Sequence, residues 1–266
     1  SFNEIKPGEN FELIDQSNIN KEYEKEFKKN RLINHVVLLK ELDSTKYAKD
    51  ILKHLATLNI EKGSEVLAAK LSTDVGRYDF AIQISKQASY EKRFYNKYNY
   101  PIIATPKKIN NKIMPNSEVV LAIIRQESEF DARANSWAGA RGMMQLMKYT
   151  AKIVAKQSKL PYSISRLTRD PEYNIKLGSY YFNSLIQDYN GIYPFAIAAY
   201  NAGPNRVKTW RRVNGDPSKG KLSYVNWIEL IRFKETRNYV QRVLENINVY
   251  KYMLSKEPVK IDNFFN

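Results

Sequence analysis

Apolar residues recur along this chain every three to four positions rather than every second one, and that period predicts helices almost throughout. Residues 21–29 form a charged helical stretch, and 35–42 and 46–58 carry apolar side chains at helical spacing. Residues 64–71 and 78–88 predict an antiparallel helix pair joined around Gly76. These short helices are similar to helical-repeat packing, although the sequence itself shows no repeat. Tyr100-Pro101, Thr105-Pro106, Asn110-Asn111 and Met114-Pro115 then mark a loop. That loop divides an N-terminal helical domain, residues 1–100, from a C-terminal domain, residues 101–266.

Helices resume at Ser117, which suits an N-cap, with Glu118 in the first turn where the helix dipole favours an acid. Further helices are expected over 150–157 and 171–189. Residues 195–200 lead into Asn201-Ala202-Gly203-Pro204, a tight helix-to-helix turn with Gly at the stop and Pro at the start. The last helix, 236–254, has Tyr239, Val240, Val243, Leu244, Ile247, Tyr250 and Leu254 on one apolar face. The fold class expected is all-α.

Composition narrows this picture. With 43% hydrophobic residues in 266, the chain can bury a sizeable core. It has no cysteine, which excludes disulfides and thiolate metal sites. No apolar run approaches the ~20 residues of a membrane-spanning helix. The chain begins at Ser1 without a signal-peptide pattern, so it reads as a processed protein or a fragment. A formal charge of +15 favours an acidic partner: nucleic acid, anionic membrane or anionic polymer. The excess is local. Residues 132–169 hold eight bases and no acid, and 189–215 are again free of acids.

Candidate chemistry centres on Glu127, which follows Val120, Ile123 and Ile124 on one helical stripe. Arg125 and Glu129 lie elsewhere on the helix and can pair at i,i+4 on its solvated face. Asp131, one turn beyond Glu127, reads as exposed. An inward-facing carboxylate is paired with an arginine, reaches water at the helix end, or is desolvated into a protonated general acid. Downstream, Gly142-Met143-Met144-Gln145-Leu146-Met147 sets an amide among apolar residues. If buried, Gln145 needs a partner, and a sugar hydroxyl, an N-acetyl group or a backbone carbonyl would serve. Methionines 144 and 147 suit a core. Tyr200 precedes the Asn-Ala-Gly-Pro turn, and Glu235 opens the last helix.

The order and spacing of "RQES" (125–128), "GMMQLM" (142–147), "NIKLGSYYF" (174–182), "AYNAGPNRVKTW" (199–210) and "KETRNYVQRVL" (234–244) resemble the soluble lytic transglycosylases, whose catalytic domain is related to goose-type lysozyme. The resemblance covers residues 101–254, and the helices before Pro101 resemble, more faintly, that family's helical linker domain. It implies a lysozyme-like domain with a groove for peptidoglycan glycan strands in the periplasm, and cleavage between N-acetylmuramic acid and N-acetylglucosamine to a 1,6-anhydro product. Glu127 matches the single catalytic acid/base. Ser136, Gln145, Met147, Tyr200 and Glu235 match groove-lining residues, and Tyr239 is carried over with them. A superhelical domain of the same protein is expected upstream. Two positions depart from the family pattern: Lys148-Tyr149 stand where a proline and a small residue are common, and Trp137 replaces a smaller or turn-forming residue.

Rival readings are a hydrolytic goose-type lysozyme and a non-catalytic peptidoglycan-binding protein. A nucleic-acid binder rests on charge alone, with no nucleic-acid motif. No metal or cofactor site is indicated: no His/Asp/Glu cluster has ligand spacing, and His35 and His54 lie alone in the N-terminal helices.

Overall fold

The computed structural model describes residues 12–220 and 222–256. The outer ends of the two expected domains, 1–11 and 257–266, lie outside the described residues. The chain divides into two compact units: one runs to Ile102 and includes Glu129–Asp131, and the other comprises Ile103–Ser128 and the residues from Ala132 onward.

The first unit contains α1 (Lys21–Phe27), α2 (Arg31–Glu41), α3 (Lys49–Thr57), α4 (Ser64–Asp74), α5 (Tyr78–Tyr90) and α6 (Asn96–Asn99). Asn20 caps α1, its side chain accepting from the backbone N–H groups of Glu22 and Tyr23. Asn30 caps α2 through Leu32 N–H. Gly76, with φ 77°, reverses the chain between α4 and α5. α4 packs on both α3 and α5 around Leu52, Leu55, Val66, Ala68 and Ala81. Among the described residues of this unit two acids are buried, Glu65 and Asp79, the latter paired with Arg77. Glu65 is buried and takes two bonds from the Arg93 guanidinium (2.8 and 3.0 Å) and one from the Tyr95 hydroxyl (2.9 Å). Burial, then the bond to Glu65, pushes the Tyr95 hydroxyl up to about 12.

The second unit opens with an element that the sequence reading missed. Strands β1 (Lys108–Ile109) and β2 (Lys112–Ile113) pair antiparallel. Asn110 and Asn111 turn between them at φ 46° and 64°, the left-handed geometry that two-residue hairpins require and asparagine tolerates. The helices are α7 (Ser117–Ser128), α8 (Lys148–Gln157), α9 (Arg166–Arg169), α10 (Pro171–Asp188), α11 (Tyr193–Ala202), α12 (Pro204–Asn214), α13 (Tyr224–Glu229) and α14 (Lys234–Ser255). α7 packs along α14, α14 against α11, and α11 against α10 and α12. Gly203 (φ 86°) and Pro204 make the tight turn between α11 and α12.

Ser117 is the first residue of α7 and not its cap. The Asn116 carbonyl accepts from Val119 and Val120, while the Ser117 hydroxyl bonds Thr105 (2.7 Å). Every residue from Val119 to Arg125 is buried, so α7 is a central helix surrounded by protein rather than an amphipathic one. Arg125 is therefore not on a solvated face. Glu129 is not on the same helix as Arg125, as the i,i+4 reading expected: α7 stops at Ser128, and Glu129 and Phe130 turn away at φ 51° and 67°. Glu129 instead pairs with Lys86, and Phe130 is buried beside Tyr78, all within the first unit. Asp131 lies off the helix and is half-buried. Leu254 is exposed at the end of α14, outside the buried face formed by the other six residues. No helix among the described residues is long and apolar enough to cross a membrane.

Candidate active site

Glu127 occupies the last turn of α7, held by the buried packing of the turns before it. The Tyr239 hydroxyl on α14 donates to Glu127 Oε1 at 2.6 Å. Loss of solvent pushes the Glu127 carboxyl up to about 7; the Tyr239 bond opposes the shift, and the negative charge of Glu235 adds to it. Glu235 stands four residues before Tyr239, in the exposed first turn of the same helix. The two therefore share a face of α14.

Tyr200, near the end of α11, is held from two sides. Its ring lies against Tyr181 and Phe182, with centroids 5.3 and 5.8 Å away. Its hydroxyl donates to the Met144 carbonyl at 2.8 Å. Burial first, and then the charge of Glu127, holds both tyrosine hydroxyls well above the usual tyrosine range. Both thus stay neutral donors at any physiological pH.

The segment around Met144 is fixed by residues to which sequence reasoning gave no role. The Asn174 side chain, fully buried on α10, accepts from Met144 N–H (2.8 Å) and donates to the carbonyls of Arg141 (2.9 Å) and Leu167 (3.1 Å). Gly178, one turn on, leaves room for Met144; a Cβ there would overlap its side chain. Ser128 donates to the Met143 carbonyl at 2.8 Å, so the residue after Glu127 ties α7 to the same segment. Thr236 on α14 donates to Asn201 at 2.7 Å and fixes the end of α11. The available signals were a glycine and a polar residue inside a strongly helical stretch.

Gln145 adopts φ 45°, and its side-chain N–H groups go to the carbonyls of Gly142 (2.8 Å) and Ala134 (3.4 Å). Of the partners weighed for it, the protein supplies backbone carbonyls. Ser136 closes its own turn, its hydroxyl accepting from Ala140 N–H at 3.0 Å. Met144 is core, as expected, but Met147 is exposed just before α8. Glu127, Tyr239, Glu235 and Tyr200 thus form one electrostatic group. Gln145 is joined to it through the backbone of its own segment, and Ser136 and Met147 flank that segment.

An open depression of about 580 Å³ in the first unit is lined by Lys53, Gln83 and Tyr90 among others. Its two acids are both engaged, Glu65 by Arg93 and Glu129 by Lys86. Among the described residues no three His, Cys, Asp or Glu side chains gather as metal ligands.

The Glu127 carboxyl, pushed up to about 7, thus lies in the last turn of the central helix of an all-α unit. Comparison with known proteins shows what the chain resembles. Residues 105–223 match the transglycosylase SLT domain. The soluble lytic murein transglycosylase of Escherichia coli K12 is 39% identical over 150 residues, covering 56% of this chain and 22% of its own length. That of Salmonella typhimurium LT2 is 38% identical over 138 residues, covering 52% and 21%. The crystal structure of the 70 kDa soluble lytic transglycosylase of Escherichia coli superimposes with a TM-score of 0.78 at 26% identity, across 100% of this chain and 41% of that one. An inactive Glu-to-Gln mutant of lytic transglycosylase Slt from Pseudomonas aeruginosa gives 0.72 at 29% identity, over 93% and 39%. Residues 105–223 thus carry a transglycosylase SLT domain, the chain is similar to the soluble lytic transglycosylases, and it spans about a fifth of the length of the curated relatives it matches.

Proposed function

We propose that the protein cleaves the β-1,4 bond between N-acetylmuramic acid and N-acetylglucosamine in peptidoglycan, with Glu127 as the only acid/base. The observation that carries this reading is the Glu127 carboxyl, desolvated to a pKa of about 7 and bonded to Tyr239. At neutral pH a large fraction is protonated and able to donate to the departing glycosidic oxygen. The carboxylate left behind then takes the proton from the C6 hydroxyl of the muramic acid. That oxygen closes on C1, so the C1–O6 bond replaces the C1–O4 bond broken in the first step. Atoms balance without water, and Glu127 ends protonated as it began.

Glycosidases that use a nucleophile or an activated water need a second carboxylate at a defined separation. Glu235 is exposed in the first turn of α14, and its part in this reading is electrostatic: its charge keeps the Glu127 proton on. The substrate N-acetyl group stabilises the positive charge developing at C1. Tyr239 orients the carboxyl, and Tyr200 fixes the Met144 carbonyl. With the Gln145 N–H groups spent on backbone, its amide oxygen is the group left to face a substrate N–H or hydroxyl. Ser136 and Met147 line the groove beside it. The acid-free basic segments suit a polymer bearing peptide carboxylates. The site of action is the periplasm, and an upstream superhelical domain of the same protein belongs to this reading; the relatives are long enough to hold one.

Release of soluble muropeptides from purified peptidoglycan tests the reading. Wild type should release them, and Glu127→Gln should lose at least a hundredfold in rate, the low end of what an acid/base contributes. Near-wild-type turnover by Glu127→Gln would refute it.

A further inference from the structure

Trp137 has no part in the chemistry above, yet it is the most unusual surface residue of the second unit. Its side chain is fully exposed, while the other two tryptophans, Trp210 and Trp227, are buried. Indole is among the side chains that gain most from leaving water, so a naked one is informative when its backbone is well held. Here it is. Gly139 N–H donates to the Ser136 carbonyl (2.9 Å), Ser136 N–H to the Ala140 carbonyl (2.9 Å), and Ala140 N–H to the Ser136 hydroxyl (3.0 Å). Gly139 takes φ 87° to close the turn. At the base, Gly142 N–H donates to the Ala134 carbonyl at 2.8 Å, and the same carbonyl accepts from Gln145.

Those bonds also locate the ring with respect to the active site. The base of the Trp137 turn is fastened to the 142–145 segment. That segment receives the Tyr200 hydroxyl at Met144 and the Ser128 hydroxyl at Met143. Trp137 is thus carried on the framework that holds Glu127.

We propose that Trp137 is a stacking platform for a pyranose ring of the glycan strand, away from the cleaved bond. The inference rests on the proposed glycan activity and adds a specificity-determining contact to it. A sugar presents a flat face of C–H groups that covers one indole, and one indole is what this turn offers. Its chain neighbours Ser136, Ala138 and Gly139 are small, so the turn itself adds no second large apolar side chain, as protein or membrane docking would favour. A held ring loses little conformational freedom on binding, which favours affinity.

The two buried tryptophans make the test clean, because iodide quenches only an accessible indole. In Glu127→Gln, titration with a hexamer of N-acetylglucosamine, and with uncrosslinked glycan strands, should shift the emission to the blue and protect it from iodide. Trp137→Ala should bind these ligands about tenfold more weakly, with Trp137→Phe between. In the active enzyme Trp137→Ala should raise KM for glycan strands by a similar factor with kcat little changed. Glycan binding seen by calorimetry with iodide quenching unchanged, or with Trp137→Ala binding as tightly, overturns the platform and leaves the activity standing. A response to anionic lipid vesicles but not to glycan also overturns it. A wild-type protein that neither binds nor cleaves glycan overturns the activity, and the platform with it.

Discussion

Glu127→Gln should stabilise the protein increasingly as pH rises above about 4.5, with the full gain at neutral pH and above. An ordinary glutamate loses its proton near 4.5, while Glu127 in the fold holds its own to about 7. Below pH 4.5 both folded and unfolded chains carry the proton and the site costs nothing. Between 4.5 and 7 the unfolded chain releases the proton while the folded chain keeps it. The folded state binds more protons there, so stability falls as pH rises. Above 7 the loss is complete, and the gap corresponds to roughly 3 kcal/mol. Glutamine never ionises, and its Oε1 can still accept from Tyr239, so the variant escapes this loss. Urea unfolding followed by emission of the buried Trp210 and Trp227, both in the second unit, measures the difference. The variant should equal wild type at pH 4 and exceed it by up to about 3 kcal/mol at pH 8. A difference that is flat across pH, or a variant less stable at pH 8, would refute the desolvated-acid account.

Tyr239→Phe removes the bond that favours the ionised Glu127, so the alkaline limb of the pH–rate profile should move to higher pH. Glu235→Gln removes the charge that opposes ionisation, and the same limb should move down; kcat/KM against pH for both variants decides. Gly178→Ala forces a methyl group into Met144, so urea unfolding should show a loss of about 1–3 kcal/mol, with kcat falling as the 142–147 segment shifts. Glu65→Ala removes the Tyr95 partner and one of the two partners of Arg93, which keeps Glu91; with Arg93 partly exposed, thermal unfolding should report a loss of about 2 kcal/mol.

The sequence made the helical architecture readable because apolar spacing sets which faces are buried, and the Gly203-Pro204 turn followed from backbone chemistry alone. The reading failed where tertiary context overrode local pattern. A stripe of Val120, Ile123 and Ile124 shows that α7 has one buried face, but periodicity cannot reveal that its other faces are covered too, and so Arg125 was misplaced. The end of α7 was hidden for a related reason. Nothing in Ser128-Glu129-Phe130 announces two left-handed residues, a strained pair that Phe130 burial and the Lys86–Glu129 ion pair hold. The Asn110-Asn111 hairpin was legible in hindsight from its turn residues, but its strands, two residues each, are too short to show alternation. At the site, Glu127, Tyr200, Glu235 and Tyr239 were nominated by motif. The residues that hold the Met144 segment in place, Asn174 and Gly178, act through contacts far apart in sequence.

The central claim is that one carboxylic acid makes both proton transfers and that water takes no part. Digestion of purified peptidoglycan in heavy-oxygen water, followed by mass analysis of the products, tests it most directly. The account predicts muropeptides ending in 1,6-anhydromuramic acid, one water lighter than the hydrolysed form and free of the label. Reducing ends carrying the heavy oxygen would contradict it and make the protein a hydrolase.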